Sequence, residues 1–169
     1  MQRRSLLKLG VASAAVLAVA GAGTAWITPG LLSDGRLAPP GRAVFRAAGT
    51  AILEGSLPVA PPAREHALDG LLERIDALVV ALPPHVQKEL SLLLATLASP
   101  PGRRLMAGLQ TGWAVAPVAQ LQKALQSMRV STLSLRQQAY HALHDIVGGA
   151  YFSDAQTWAQ LGYPGPIKI

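Results

Sequence analysis

Leu68, Leu71, Leu72, Ile75, Leu78, Val79 and Leu82 recur at steps of three and four residues, with Asp69, Glu73 and Asp76 set between them. That spacing gathers the apolar side chains into one stripe of a helix and turns the carboxylates to the other side. Proline brackets the pattern, at Pro58, Pro61 and Pro62 before it and at Pro83-Pro84 after it. Proline removes a backbone donor from a helix interior but is favoured in a first turn, so each proline cluster punctuates the chain.

The same grammar runs through the rest of the sequence. Val44, Ala48 and Ile52, with Phe45 and Leu53 beside them, predict a helix over 43–54, stopped by the prolines from 58 onward. Val86, Leu90, Leu93, Leu94 and Leu97 continue from Pro84 to Pro100-Pro101. A short helix is expected over 102–110, another over 117–128 on Val118, Leu121, Leu125 and Met128, and a longer one after Ser131, ending near Gly148-Gly149. Ser153 and Gln156 have the spacing of a capping box, which introduces a last short turn carrying Trp158 and Leu161. Gly162 is suited to terminate that turn. No alternating β-branched run of strand length occurs, and there is no internal repeat. The expected fold is all-α: a small compact bundle of five to six short helices, preceded by an N-terminal signal helix and a Pro/Gly linker.

The N-terminus reads as an address. Arg3 and Arg4, followed by Leu6, Leu7 and Lys8, precede an uncharged stretch over 9–27 rich in Ala, Gly and Val. This resembles the bacterial twin-arginine (Tat) export signal, whose paired arginines are read by a receptor and whose apolar segment is only moderately hydrophobic. The segment is just long enough to span a bilayer, so it either is cleaved or remains as a membrane anchor. The expected divisions are a signal segment over 1–27, a linker over 28–42 and a helical domain over 43–169.

Charge and composition then narrow the chemistry. The chain of 169 residues has 15 Lys and Arg against 9 Asp and Glu, a net charge of +6. Without Arg3, Arg4 and Lys8, the 15 basic residues become 12 and the net charge +3. Nucleic-acid binding therefore loses half its electrostatic support, and Arg103-Arg104 with Trp113 is a poor substitute for a basic, aromatic-studded groove. The absence of cysteine excludes disulfides, thiolate nucleophiles and cysteine-ligated metal centres. Gly21-Ala22-Gly23 begins like a dinucleotide fingerprint but has Trp26 at the third glycine position and no preceding strand. No nucleophile-elbow serine occurs. Glu65, Asp69, Glu73 and Asp76 follow one another along one face, expected to be solvated. His141 and His144, three apart on one helix, are the candidate metal pair; His66 and His85 lie elsewhere, and no HExxH spacing occurs.

Five of the eight aromatic residues, Tyr140, Tyr151, Phe152, Trp158 and Tyr163, fall in the last 30 positions. Such clustering serves either to bolt the C-terminal segment to the bundle or to anchor a partner. The tail from Tyr151-Phe152 through Trp158 to Gly162-Tyr163-Pro164-Gly165-Pro166, together with the leader, resembles the gluconate 2-dehydrogenase subunit 3 family. The resemblance covers the two ends and a helical middle with little specific identity.

It implies a non-catalytic small subunit, exported to the periplasm by the Tat translocase and escorting a flavin-dependent oxidoreductase of the glucose–methanol–choline (GMC) type that acts on alcohols or sugars. The FAD would then belong to the partner and no cofactor to this chain. The implied partner contacts are Tyr151, Phe152, Trp158, Tyr163, Pro164, Gly165 and Pro166. Membrane contact would run through the leader, with anchoring to the inner membrane where the leader is retained. Two other readings stay open on the residues alone: a membrane-tethered helical binding module in the periplasm, and a metalloenzyme built on His141 and His144.

Overall fold

The computed structural model describes residues 28–163 and Gly165, and among them the chain is all-helical. Six α-helices follow in order: α1 (Pro39–Ile52), α2 (Pro61–Val80), α3 (Pro84–Ala98), α4 (Pro100–Ala107), α5 (Val118–Arg129) and α6 (Ser134–Phe152). A 3₁₀ helix, Ala155–Leu161, closes the described chain. The expected bundle of five to six helices is what the chain forms.

Proline sets where the helices begin. α1, α2, α3 and α4 each carry proline at the first or second helical position. Pro61 and Pro62, read from the sequence as stops for the preceding helix, instead open α2, two turns before the first residue of the Leu68 stripe. Pro39 and Pro40 likewise open α1 ahead of residue 43. In a first turn the missing proline N–H leaves no intrahelical bond unmade, so these prolines start helices, while α1 has already ended at Ile52.

α1 is the centre of the bundle, packed against α2, α3, α5 and α6. Its buried residues, Gly41, Val44, Phe45, Ala47, Ala48, Gly49 and Ala51, cover most of its circumference rather than one stripe. The small side chains let four neighbours approach, while Phe45 and Val44 fill the interior beside Leu71, Ile75, Leu94, Met128 and Leu143. α2, by contrast, presents the expected stripe: Leu68, Leu71, Leu72, Ile75 and Val79 are its buried residues. Trp113 joins the same core, its indole N–H donating to the Leu97 carbonyl at 2.7 Å.

The segment expected as a linker is docked onto the bundle. Leu31 and Leu37 pair in an antiparallel bridge and are buried with Ala38. Gly30 N–H donates to the Ser91 carbonyl and Leu31 N–H to Ser91 Oγ, which fixes this segment to α3. On the other side the Leu37 N–H and the Arg42 guanidinium both donate to Asp76, at 2.7 and 2.6 Å. Asp76 is therefore not part of a solvated acidic face: its side chain is 16% exposed and holds the chain entrance to α2. Glu65 and Asp69 do lie on the exposed side, where both pair with Arg46. The entrance requires close backbone contact, because a Cβ on Gly41 would overlap the Gly30 carbonyl oxygen.

Candidate functional site

The C-terminal tail grows out of α6. That helix passes through Gly148-Gly149, where a stop was expected, and ends at Phe152. Two glycines cost roughly 1 kcal/mol each in a helix interior relative to alanine. Burial of Val147, Ala150 and Tyr151 on the bundle offsets that cost.

Arg74 of α2 meets the end of α6. Its Nε donates to the Ala150 carbonyl at 2.8 Å and its Nη1 to Asp154 Oδ2 at 3.2 Å. One guanidinium thus satisfies a terminal carbonyl of the helix and holds the first residues beyond it. The turn is organised by Asp154 rather than by the expected Ser153–Gln156 capping box. Ser153 Oγ donates back to the Ala150 carbonyl, while Asp154 Oδ1 accepts from the Gln156 N–H at 3.0 Å. Buried Thr157 donates its hydroxyl to the Asp154 carbonyl at 2.7 Å. A serine whose own backbone is still helical points its hydroxyl down the preceding turn, so the capping role passes to the next residue.

Trp158 is fixed at both ends. Its indole N–H donates to the Phe152 carbonyl at 2.8 Å, and its ring meets Tyr163 edge to face with centroids 5.4 Å apart. Gly162 takes a φ of +65°, and the Tyr163 N–H returns to the Trp158 carbonyl at 3.1 Å, the pattern that closes a helix end. The Gly165 backbone lies over the Trp158 ring, so that a Cβ there would stand 3.4 Å from its Cζ3. Trp158, Tyr163 and Gly165 form one small knob with Tyr163 on its outside, 48% exposed.

The residues expected to contact a partner thus divide. Tyr151 is only 3% exposed, and its hydroxyl donates to the Ser56 carbonyl at 2.9 Å. Its ring belongs to the bundle, with Phe152 packed edge-on against it at 5.2 Å. Trp158, Tyr163 and Gly165 belong to the knob. Pro164 and Pro166, and the leader residues Arg3, Arg4, Leu6, Leu7 and Lys8, lie outside the described residues.

His141 and His144 are both exposed on α6, with Tyr140 beside them: its ring is edge-on to His141 at 5.4 Å and stacked on His144 at 5.5 Å. His144 Nδ1 lies 3.2 Å from Asp145 Oδ1. No cluster of three or more His, Asp or Glu with metal-binding geometry occurs among the described residues. Nor is any described helix long and apolar enough to cross a membrane.

The chain matches no family model, no curated protein and no solved structure. Arg74 is the residue that sequence reasoning missed. Its only signal was a basic residue between Glu73 and Asp76 of α2, which says nothing of a partner eighty positions downstream.

Proposed function

We propose that this chain is a non-catalytic small subunit that escorts a flavin-dependent oxidoreductase of the GMC type through the Tat translocase to the periplasm. The reading rests on the Tat-like leader and on the resemblance of the tail to the gluconate 2-dehydrogenase subunit 3 family. The observation that carries it is the Trp158–Tyr163 knob, held in shape by the chain's own hydrogen bonds with Tyr163 outward. Tyrosine and tryptophan anchor interfaces because each buries a large area and keeps a polar handle. An arm already ordered loses less conformational entropy when it docks. Flavin and redox chemistry reside in the partner under this reading, and the small subunit contributes binding and the export address.

Co-expression with a signal-less GMC oxidoreductase tests the tail. Trp158→Ala with Tyr163→Ala is expected to abolish co-purification of the flavoprotein while the helical circular dichroism is kept. Undiminished co-purification by the folded variant would contradict the assignment of the knob as the partner contact. Loss of helical signal would assign both rings to the chain's own stability instead.

A further inference from the structure

Positive charge is spread unevenly along the chain. Between Glu89 and Asp145 the sequence contains Arg103, Arg104, Lys123, Arg129 and Arg136 and no acidic residue. Earlier in the chain the pattern is opposite, with Arg36, Arg42, Arg46 and Arg64 each paired with a carboxylate.

The fold collects much of the acid-free stretch at one corner. Arg136 Nε donates to the Met106 carbonyl at 2.7 Å and Nη2 to Ser127 Oγ at 3.0 Å. This one side chain pins together the end of α4, the last turn of α5 and the first turn of α6. Around it three aliphatic side chains stand in solvent: Leu105 at 67%, Val130 at 63% and Leu133 at 60% exposure. Leu105 precedes Met106, Val130 lies one turn beyond Ser127, and Leu133 lies one turn before Arg136. Arg104 and Arg129 flank these residues, are exposed, and form no ion pair among the described residues.

We propose that this corner docks on an anionic lipid bilayer, with Leu105, Val130 and Leu133 entering the headgroup region and Arg104 and Arg129 meeting the lipid phosphates. Charge complementarity selects this occupant: basic side chains without acidic neighbours are drawn to a negative surface, and aliphatic tips between them add apolar burial. A protein hot spot is built on aromatic and arginine anchors seated in pockets. Here the exposed apolar groups are leucine and valine, and the nearby aromatic, Trp113, is committed to the core. The corner lies at the start of α6 and the Trp158 knob beyond its end. The 19 residues of α6 separate them by roughly 28 Å at 1.5 Å per residue. Bilayer and protein partner would therefore engage opposite ends of the bundle. The proposal rests on the corner alone and stands or falls independently of the escort reading.

Flotation of the full chain with vesicles of phosphatidylcholine, with and without phosphatidylglycerol, tests it. The leader is present in every variant and adds the same background. Arg104→Glu with Arg129→Glu is expected to weaken partition onto the phosphatidylglycerol vesicles by on the order of tenfold to a hundredfold, at about 1 kcal/mol per basic residue near an anionic surface. The charge-matched pair Arg36→Glu with Lys88→Glu, outside the corner, is expected to change it by about twofold or less on the same electrostatic scale. Leu105→Ser with Leu133→Ser is expected to lower the binding that survives high salt towards the background that the leader supplies. Equal losses in the two charge-matched pairs would overturn the proposal in favour of net charge alone. Unchanged partition of the Arg104/Arg129 variant would also overturn it, and loss of a co-expressed protein partner in that case would make the corner a protein interface.

Discussion

The guanidinium of Arg74 donates to the carbonyl of Ala150 across 76 positions of sequence, 2.8 Å away, and reaches Asp154 with its other arm. It ties the middle of the chain to the root of the tail. A half-buried pair of this kind contributes more than a surface ion pair because it also satisfies a helix-terminal carbonyl.

Arg74→Met keeps the apolar stem and removes both bonds. A loss of about 1–2 kcal/mol is expected in urea unfolding, within the range for hydrogen bonds to charged groups. Limited proteolysis is the sharper measurement: cleavage between 153 and 163 should speed up in the variant while the bundle resists.

Asp76 and Glu65 make a matched comparison on one helix. Asp76→Ala leaves the Leu37 N–H and the Arg42 guanidinium without their acceptor, and should cost about 1–3 kcal/mol. Glu65→Ala removes one exposed partner of Arg46, which keeps Asp69, and should cost under about 0.5 kcal/mol. Equal effects in denaturant titration would show that the segment before α1 is not docked as described.

Phe45 sits at the crossing of the helices packed on α1, with no exposed surface. Phe45→Ala should destabilise by about 3–5 kcal/mol, the usual range for emptying a packed aromatic site. A loss that large threatens folding, so the milder Phe45→Leu, expected to cost about 1–1.5 kcal/mol, gives a measurable midpoint by circular dichroism.

His141 and His144 offer two imidazoles where a catalytic zinc takes three protein ligands. Replacing both by alanine should leave the melting temperature within about 2–3 °C, as for other exposed positions. Stoichiometric zinc in the purified protein, lost in that variant, would support the metalloenzyme reading.

The helices were legible because their signals are local. The Leu68–Leu82 stripe and the proline pairs need no tertiary context, and α2 buries five of the seven residues that the periodicity marks, with Leu78 partly buried and Leu82 beyond the helix end. What escaped depended on distant partners. Pro61 reads as a stop from one side and a start from the other, and only the packing of Leu68 and Leu71 settles which residues follow it into the helix. Gly148-Gly149 reads as a terminus until Val147, Ala150 and Tyr151 are buried around it. Asp76 looks like its exposed neighbours until the 30–38 segment folds back onto it. In the tail, the aromatic cluster was visible, but its division between bundle and knob follows from two bonds, Tyr151 to Ser56 and Trp158 to Phe152, that no spacing announces.

Escort is tested most directly by following where the oxidoreductase goes. The measurement is periplasmic fractionation of cells co-expressing the chain with a signal-less GMC flavoprotein, comparing the natural leader with Arg3→Lys combined with Arg4→Lys. The account predicts that the variant leader strands both proteins in the cytoplasm, still bound to each other. A flavoprotein that reaches the periplasm with the variant leader, or fails to reach it with the natural one, would contradict the escort role.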